Sequence, residues 1–206
     1  LHQKVTVSPN SNYGYTKSRD PQQLTDGIYA STSAEWDPVS QANSLWVQKG
    51  TLGWAHQKPV IITIDLGTVQ PISGVMYSTG AQEGNVNWPA TIYLATSDDN
   101  QTWHYAGDLV QLSPPHPTLT ESAKAYFRYT AKELKTKGRY ISLGVVGMPF
   151  VFTDEIEVLR GDDALLKLSA GKEIPVMKDF MARQQITTAV QHRMNGDINA
   201  VRALLK

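Results

Sequence analysis

Short apolar runs separated by Gly, Pro, Asn and Asp extend from about Val5 to Leu159. Many short strand-like runs with frequent turn residues are typical of an all-β sandwich or barrel. The runs that we predict as strands are Val60–Leu66, Gly74–Ser78, Thr91–Ser97, Tyr126–Thr130, Arg139–Val146 and Glu155–Leu159.

The apolar positions inside these runs predict which faces are buried. Ile156 and Val158 alternate with Glu155 and Glu157, and this period of two indicates a strand with one buried face. The run Val60–Ile64 is apolar almost without interruption, which suits a central strand covered on both faces.

Turn residues predict how some of these strands are connected. The segment Asp98–Asn100 predicts a hairpin turn that leads to Trp103, a residue that we assign to the core. Gly67 closes its strand and is expected to adopt a positive φ, while Asp65 accepts hydrogen bonds from turn amides. Arg139 begins a central strand, so it is expected to need a carboxylate or carbonyl partner.

After residue 161 the strand patterns stop, and Ala, Leu, Lys, Met and Gln predominate. We predict a sandwich over residues 1–161 and an α-helical tail over residues 162–206. A helix is expected to begin near Pro175, with Val176 and Phe180 on its apolar stripe. The tail either packs on the sandwich or is a linker or the start of a further domain. The break in composition favours a separable tail.

Composition excludes several classes of protein. The chain has 206 residues and 41% hydrophobic content, which is enough for a buried core. Its 19 basic and 19 acidic residues cancel, so nucleic acid is not an expected partner. The chain has no Cys, and its longest apolar run, Pro59–Ile64, is too short for a membrane span. It begins without Met, as expected for a processed or trimmed product.

Four sequence segments carry a resemblance to a known family. They are Leu24–Gly27, Ile62–Gly67, Ala95–Trp103, and Gly138–Leu143 followed by Asp154–Val158. In this order and spacing they resemble the discoidin, or coagulation factor 5/8 type C, domains of galactose-binding-like fold, which include family 32 carbohydrate-binding modules. The resemblance implies a jelly-roll β-sandwich and a sugar ligand. It also implies a bacterial source, because animal members usually carry a cysteine pair that this chain lacks.

A structural calcium site is also implied by the resemblance. Asp26 and Glu155 would lie close together if the first and last strands of the sandwich are neighbours, and calcium prefers six to eight oxygen ligands. The implied ligands are the side chains of Asp26 and Glu155, the carbonyls of Gln23, Ile28 and Asp154, and an oxygen of Ser31. In the alternative, Asp26 caps its turn and Glu155 pairs with a base.

Two loops are rich in aromatic and amide side chains, a combination that suits the apolar faces and hydroxyl edges of sugars. They extend from Trp36 to Lys58 and from Thr79 to Pro89, and loops at one end of a sandwich commonly bind ligands. The candidate ligand-binding residues are Trp46, Trp54, His56, Glu83, Asn85, Asn87 and Trp88. Trp54 and Trp88 have an alternative role as plugs over the end of the sandwich.

No GxSxG, HExxH, P-loop or Rossmann motif occurs in the chain. A glycosidase needs only two carboxylates, for which Asp37 and Glu83 are the nominal pair. The missing motifs and the family resemblance nevertheless favour a non-catalytic carbohydrate-binding module. We predict that it is located outside the cytoplasm and is ancillary to a larger bacterial glycan-degrading or cell-surface protein. An adjacent catalytic domain would then be a partner. The alternatives are a protein-interaction or packing module, or a part of a glycoside hydrolase.

Overall fold

The computed structural model describes residues 1–16, 19–30, 44–82, 86–119 and 124–184. Its strands are β1 (Lys4–Ser8), β2 (Leu52–Ala55), β3 (Val60–Gln82), β4 (Thr91–Ser97), β5 (Trp103–Asp108), β6 (Lys124–Ala131), β7 (Thr136–Val146), β8 (Phe150–Thr153), β9 (Glu155–Arg160) and β10 (Glu173–Ile174). The helices are α1 (Leu109–Leu112), α2 (177–184) and the 3₁₀ helices Pro21–Thr25, Leu45–Val47 and Asp163–Lys167.

Strand β3 connects the two layers of the sandwich. Its first part pairs with β1 and β7, whereas its second part pairs with β6 and β9. The strand order is β1-β3-β7-β4-β5-β10, every pairing is antiparallel, and β2 pairs separately with β8. The fold is therefore an all-β jelly-roll sandwich, as predicted. Two of the predicted strands, Val60–Leu66 and Gly74–Ser78, are parts of β3.

A charged pair fixes the bend in β3. The register of β3 against β7 shifts between Asp65 and Gln70, and Gly67 in this bend has a φ of 81°. Asp65 accepts a hydrogen bond from the Gly67 N–H at 2.8 Å and two from Arg139, at 2.8 and 2.9 Å. The Arg139 guanidinium lowers the pKa of Asp65. The predicted roles of Asp65 and Gly67 and the carboxylate partner of Arg139 are confirmed, but β7 begins at Thr136 rather than at Arg139, whose side chain is 40% exposed.

The main core lies between the two layers. Ile62 and Ile64 of β3 are fully buried in it, together with Leu143 of β7 and Ile156 of β9. Ile61 points away from this core and packs in a second cluster with the tail. The prediction that the run Val60–Ile64 is covered on both faces is therefore confirmed.

The hairpin after β4 also forms as predicted. Strands β4 and β5 pair antiparallel across the Asp98–Asn100 turn, in which Asn100 has a φ of 64°. Asp99 accepts hydrogen bonds from the N–H groups of Gln101 and Thr102, both at 2.8 Å. Trp103 is 5% exposed, so its assignment to a core is confirmed.

The tail packs on the outer face of the β4–β5–β7 layer. β10 adds to β5 as an edge strand, and the Tyr105 N–H donates to the Lys172 carbonyl at 2.8 Å. Helix α2 then places Met177 and Met181, which are 4% and 1% exposed, against Ala95 and Trp103. For residues 173–184 the tail thus packs on the sandwich and covers an apolar face, which argues against the predicted separability.

Gly144 of β7 lies directly beneath the two methionines. A Cβ atom at this position would overlap the Met181 sulfur and come within 2.7 Å of the Met177 sulfur, so these side chains would have to shift. Val176, which the apolar stripe placed on the buried side, is 47% exposed instead. No helix within the described ranges combines the length and apolar character needed to cross a membrane.

Candidate functional site

Loops from distant parts of the sequence meet at one end of the sandwich. The Asn87 side-chain amide donates to the Met148 carbonyl at 2.9 Å, and the His56 N–H donates to the Pro149 carbonyl at 2.8 Å. The indole N–H of Trp88 donates to the Pro117 carbonyl at 3.1 Å. We call this surface, which comprises residues 9–16, 44–59, 86–90, 113–119 and 147–150, the loop end.

The two predicted loops are shorter than expected. Residues Thr79–Gln82 belong to β3, and Leu52–Ala55 form β2. Both segments are committed to backbone pairing, with β6 and β8 respectively, so neither is a free binding loop.

Aromatic side chains form a continuous group at the loop end. Phe152 is buried, and the Tyr13 and Phe150 rings lie 4.8 and 5.8 Å from it, measured between centroids. Tyr15 extends the group beyond Tyr13 at 5.9 Å, and His56 extends it beyond Phe150 at 5.9 Å. Tyr15 is 67% exposed and His56 is also exposed. We call Tyr13, Tyr15, Trp46, His56 and Phe150 the aromatic cluster.

The candidates Trp46 and His56 both belong to this cluster. The half-buried Trp46 ring lies 5.8 Å from the Phe152 ring. The backbone of His56 has a φ of 54°, an unusual conformation for a residue with a side chain, which projects the imidazole from the end of β2. No described residue forms a hydrogen bond with the imidazole nitrogens. The His56 side chain is exposed, so these nitrogens can exchange hydrogen bonds with solvent.

Trp54 was a candidate for stacking against a ligand, and the structure corrects this interpretation. Its side chain is fully buried in the main core, and its indole N–H donates to the Pro9 carbonyl at 2.8 Å. Because no face of the ring is exposed, Trp54 acts as a plug over the end of the sandwich.

The candidates Trp88 and Asn87 lie next to the residue 147–149 loop, to which the Asn87 side chain donates its hydrogen bond. Trp88 is half-buried, packs against the main core and has His116, Phe127 and Tyr129 around its ring. Asn87 is exposed. Of the remaining candidates, Glu83 and Asn85 lie outside the described residues, as do Asp37 and Trp36.

The acidic residues predicted as calcium ligands also come together, although β1 and β9 do not pair. Both strands pair with β3, and the 3₁₀ helix Pro21–Thr25 contacts β9 and brings Asp26 to Glu155. Glu155 Oε2 accepts from the Gly27 N–H at 3.2 Å, and Asp154 Oδ2 accepts from the Ala30 N–H at 2.9 Å.

One oxygen of each buried carboxylate lacks a hydrogen-bond partner within the described ranges. Asp154 and Glu155 are each 1% exposed, and neither Asp154 Oδ1 nor Glu155 Oε1 has a hydrogen-bond partner among the described residues. Burial, together with the negative charges of Asp26 and Glu157, raises the pKa of Glu155 to about 8, against the opposing effect of the Gly27 N–H. Burial also raises the pKa of Asp154.

Each of these oxygens is a hard donor of the kind that calcium prefers. Within the described ranges no group of three His, Cys, Asp or Glu side chains could hold a metal, so carbonyl oxygens would have to complete the coordination. The Ile28 N–H donates to Asp26 at 2.8 Å, and the Gln23 carbonyl accepts from the Asp26 N–H at 3.3 Å. Asp26 therefore also caps its turn, as the alternative predicted. Ser31 lies outside the described residues.

Sequence analysis missed three members of the aromatic cluster, Tyr13, Tyr15 and Phe150. Tyr13 and Tyr15 flank Gly14 in an Asn- and Ser-rich segment, which was an available signal for an exposed aromatic loop. Phe150 carried no comparable signal, because the pairing of β2 with β8 brings it beside His56.

Comparisons with known proteins found one family model and a set of similar solved structures. The family model for the F5/8 type C domain matches residues 4–148, and no curated protein matches the sequence. Similar solved structures include CpGH89CBM32-6 produced by Clostridium perfringens (19% identity, 78% of this chain and 94% of that chain, TM-score 0.45). A second is the family 32 module of C. perfringens NanJ in complex with galactose (12% identity, 76% of this chain and 93% of that chain, TM-score 0.46). A third is the C-terminal domain of a Bacteroides fragilis chitobiase (14% identity, 78% of this chain and 94% of that chain, TM-score 0.48). Because the family model covers more than half of the 206 residues, the chain belongs to the F5/8 type C domain family.

Proposed function

We propose that the chain is a non-catalytic carbohydrate-binding module and that the aromatic cluster is its sugar-binding surface. The observation that carries this proposal is the exposure of Tyr15 and His56 beside the half-buried rings of Tyr13 and Phe150. The family to which the chain belongs includes carbohydrate-binding modules, as its resemblance to family 32 implied.

The chemistry of the cluster suits a sugar better than a purely apolar ligand. The rings of Tyr15 and Phe150 offer apolar faces, whereas the imidazole of His56 and the tyrosine hydroxyls offer hydrogen bonds. Phe152 supports the cluster from below, so little ordering is required on binding. The surface is small and open to water, and we expect a Kd of roughly 0.1 to 1 mM.

Removal of the exposed Tyr15 ring or the half-buried Phe150 ring should weaken binding without unfolding the protein. We expect Tyr15→Ala and Phe150→Ala each to weaken sugar binding at least tenfold, on the order of 1.4 kcal/mol. Tyr15→Ala should change the free energy of unfolding by no more than about 0.5 kcal/mol, because its ring is mostly exposed. A glycan array identifies the ligand, and NMR chemical-shift titration measures its Kd.

Val69→Ala is the matched control, because Val69 is an exposed apolar residue of the β3 bend, remote in the fold from the loop end. Its binding should equal that of the unaltered chain. If Tyr15→Ala and Phe150→Ala bind the sugar as tightly as this control, the aromatic cluster is not the binding surface.

We also propose a structural cation at the buried carboxylates. The ion would be held by the side chains of Asp26 and Glu155. The carbonyls of Gln23, Ile28 and Asp154 and an oxygen of Ser31 would complete its coordination. A bound calcium ion would supply positive charge beside these buried carboxylates, each of which has one oxygen without a hydrogen-bond partner among the described residues.

Removal of calcium should therefore destabilise the fold. A ligand that binds only the native state stabilises it by about 2.7 kcal/mol at a hundredfold excess over Kd, so a chelator should lower the Tm and added calcium should restore it. Asp26→Ala should abolish this response. Asp20→Ala is its control, since Asp20 caps a neighbouring turn through the Gln22 N–H at 3.0 Å. Equal stabilities of the two variants, with no effect of the chelator, would remove the cation from the proposal.

The location of the module and the kind of protein that contains it are inferred from its proposed sugar binding. We infer that the module lies outside the cytoplasm as an ancillary part of a larger bacterial protein that degrades glycans or lies at the cell surface. A packing module is the second candidate, and one observation favours it, namely that the tail covers an apolar sheet face. That contact is on the side of the sandwich, whereas the aromatic cluster is at the loop end and stays exposed.

A further inference from the structure

The ring of Trp88 has a neighbouring imidazole that could not be predicted from the sequence. His116 lies against it with ring centroids 5.1 Å apart and ring planes inclined by 32°. The other two neighbours, Phe127 and Tyr129, meet the indole at 72° and 81°. A sugar would stack parallel to an indole, so His116 occupies the kind of position that a sugar ring would take.

His116 is the outermost ring of this group. Tyr129 is buried and Phe127 is half-buried, whereas the side chain of His116 is exposed. The imidazole also meets the Phe127 and Tyr129 rings nearly edge-on, at centroid distances of 6.4 and 6.1 Å. Displacement of His116 would therefore expose the indole face while leaving the inner rings in place.

The loop that carries His116 contacts the core through ring contacts and makes few hydrogen bonds to the described part of the chain. At its start, Ser113 Oγ accepts from the Thr130 N–H at 3.0 Å. Within the described part of the chain, one hydrogen bond joins residues 114–117 to residues outside this loop. The Trp88 indole N–H donates it to the Pro117 carbonyl at 3.1 Å. That carbonyl also lies 3.1 Å from His116 Nδ1. Residues 114–117 are otherwise exposed.

We propose that His116 is a displaceable cover on Trp88, and that a sugar reaches this second ring only when the cover is open. This inference rests on the proposed carbohydrate function and adds a second, regulated contact to it. A site that is open only part of the time has its apparent affinity reduced by the open fraction. If the cover is closed about nine-tenths of the time, its removal tightens binding at Trp88 about tenfold.

Fluorine NMR of protein labelled with 5-fluorotryptophan tests the cover directly. The chain has five Trp residues, and Trp88→Phe identifies the Trp88 signal by its loss. In His116→Ala, the difference in Trp88 shift between H₂O and D₂O should increase, because the ring becomes solvated. Pro115→Ala is the matched control in the same exposed loop and should leave this difference unchanged.

The sugar identified by the glycan array is then titrated against each chain. We expect the Trp88 signal of His116→Ala to respond at about one-tenth of the concentration needed for the unaltered chain. An unchanged solvent shift in His116→Ala overturns the cover, and so does an exposed Trp88 with unchanged affinity. If no sugar on the array binds any of the chains, the carbohydrate function fails, and the solvent shift alone decides whether His116 covers the ring.

Discussion

A chain truncated after Asp162 should lose cooperative unfolding. The truncation removes Ile174, Met177 and Met181, each at most 8% exposed, and thereby uncovers Trp103 and Ala95 on the outer face of the sheet. Truncation of one buried methionine to alanine costs about 2–5 kcal/mol, and a whole domain is stable by only about 5–15 kcal/mol. Loss of all these contacts together should leave a partly unfolded or aggregating protein.

Point variants separate the packing of the tail from its mere presence. Met181→Ala should lower the free energy of unfolding by about 2–5 kcal/mol, because Met181 is 1% exposed against Gly144. Val176→Ala, in the same segment but 47% exposed, should change it by no more than about 0.5 kcal/mol. Urea denaturation followed by near-ultraviolet circular dichroism measures both. Should the truncated chain melt cooperatively at an unchanged temperature, the tail is separable, as its composition alone predicted.

The strands that could be predicted from the sequence are those whose own residues determine their burial. The runs Thr91–Ser97 and Arg139–Val146 became β4 and β7, because alternation or continuous apolarity is a local property. β2 and β8 escaped prediction because each has four residues, and their pairing joins segments about a hundred positions apart. Similarly, the tail sequence alone does not show that its buried face is centred on Met177 and Met181, because their partners Ala95 and Trp103 lie on strands distant in sequence.

In the candidate site, too, some residues could be predicted from the local sequence and others depend on tertiary pairing. His56 and Trp46 could be chosen by residue type, since they lie in a loop rich in aromatic and amide groups. Their neighbours Tyr13 and Phe150 come from opposite ends of the sandwich sequence, and only tertiary pairing brings them together. Whether a tryptophan is a plug or a platform is equally non-local. Trp54 is buried because Pro9 and the core surround it, whereas the cover on Trp88 comes from a loop 28 residues further along the chain.

Trp54→Ala should destabilise the protein by about 3–5 kcal/mol without removing any ligand contact. The side chain is fully buried in the main core, so its loss creates a cavity among aliphatic neighbours. Trp54→Phe retains most of the apolar volume but leaves the Pro9 carbonyl without its 2.8 Å hydrogen bond, and we expect a smaller loss of about 1–3 kcal/mol. Chemical denaturation gives both values.

Measured well below its melting temperature, Trp54→Phe should bind sugar with the Kd of the unaltered chain, in contrast to Tyr15→Ala. A Trp54→Phe variant that keeps its stability but loses sugar binding would show that the indole reaches the ligand after all.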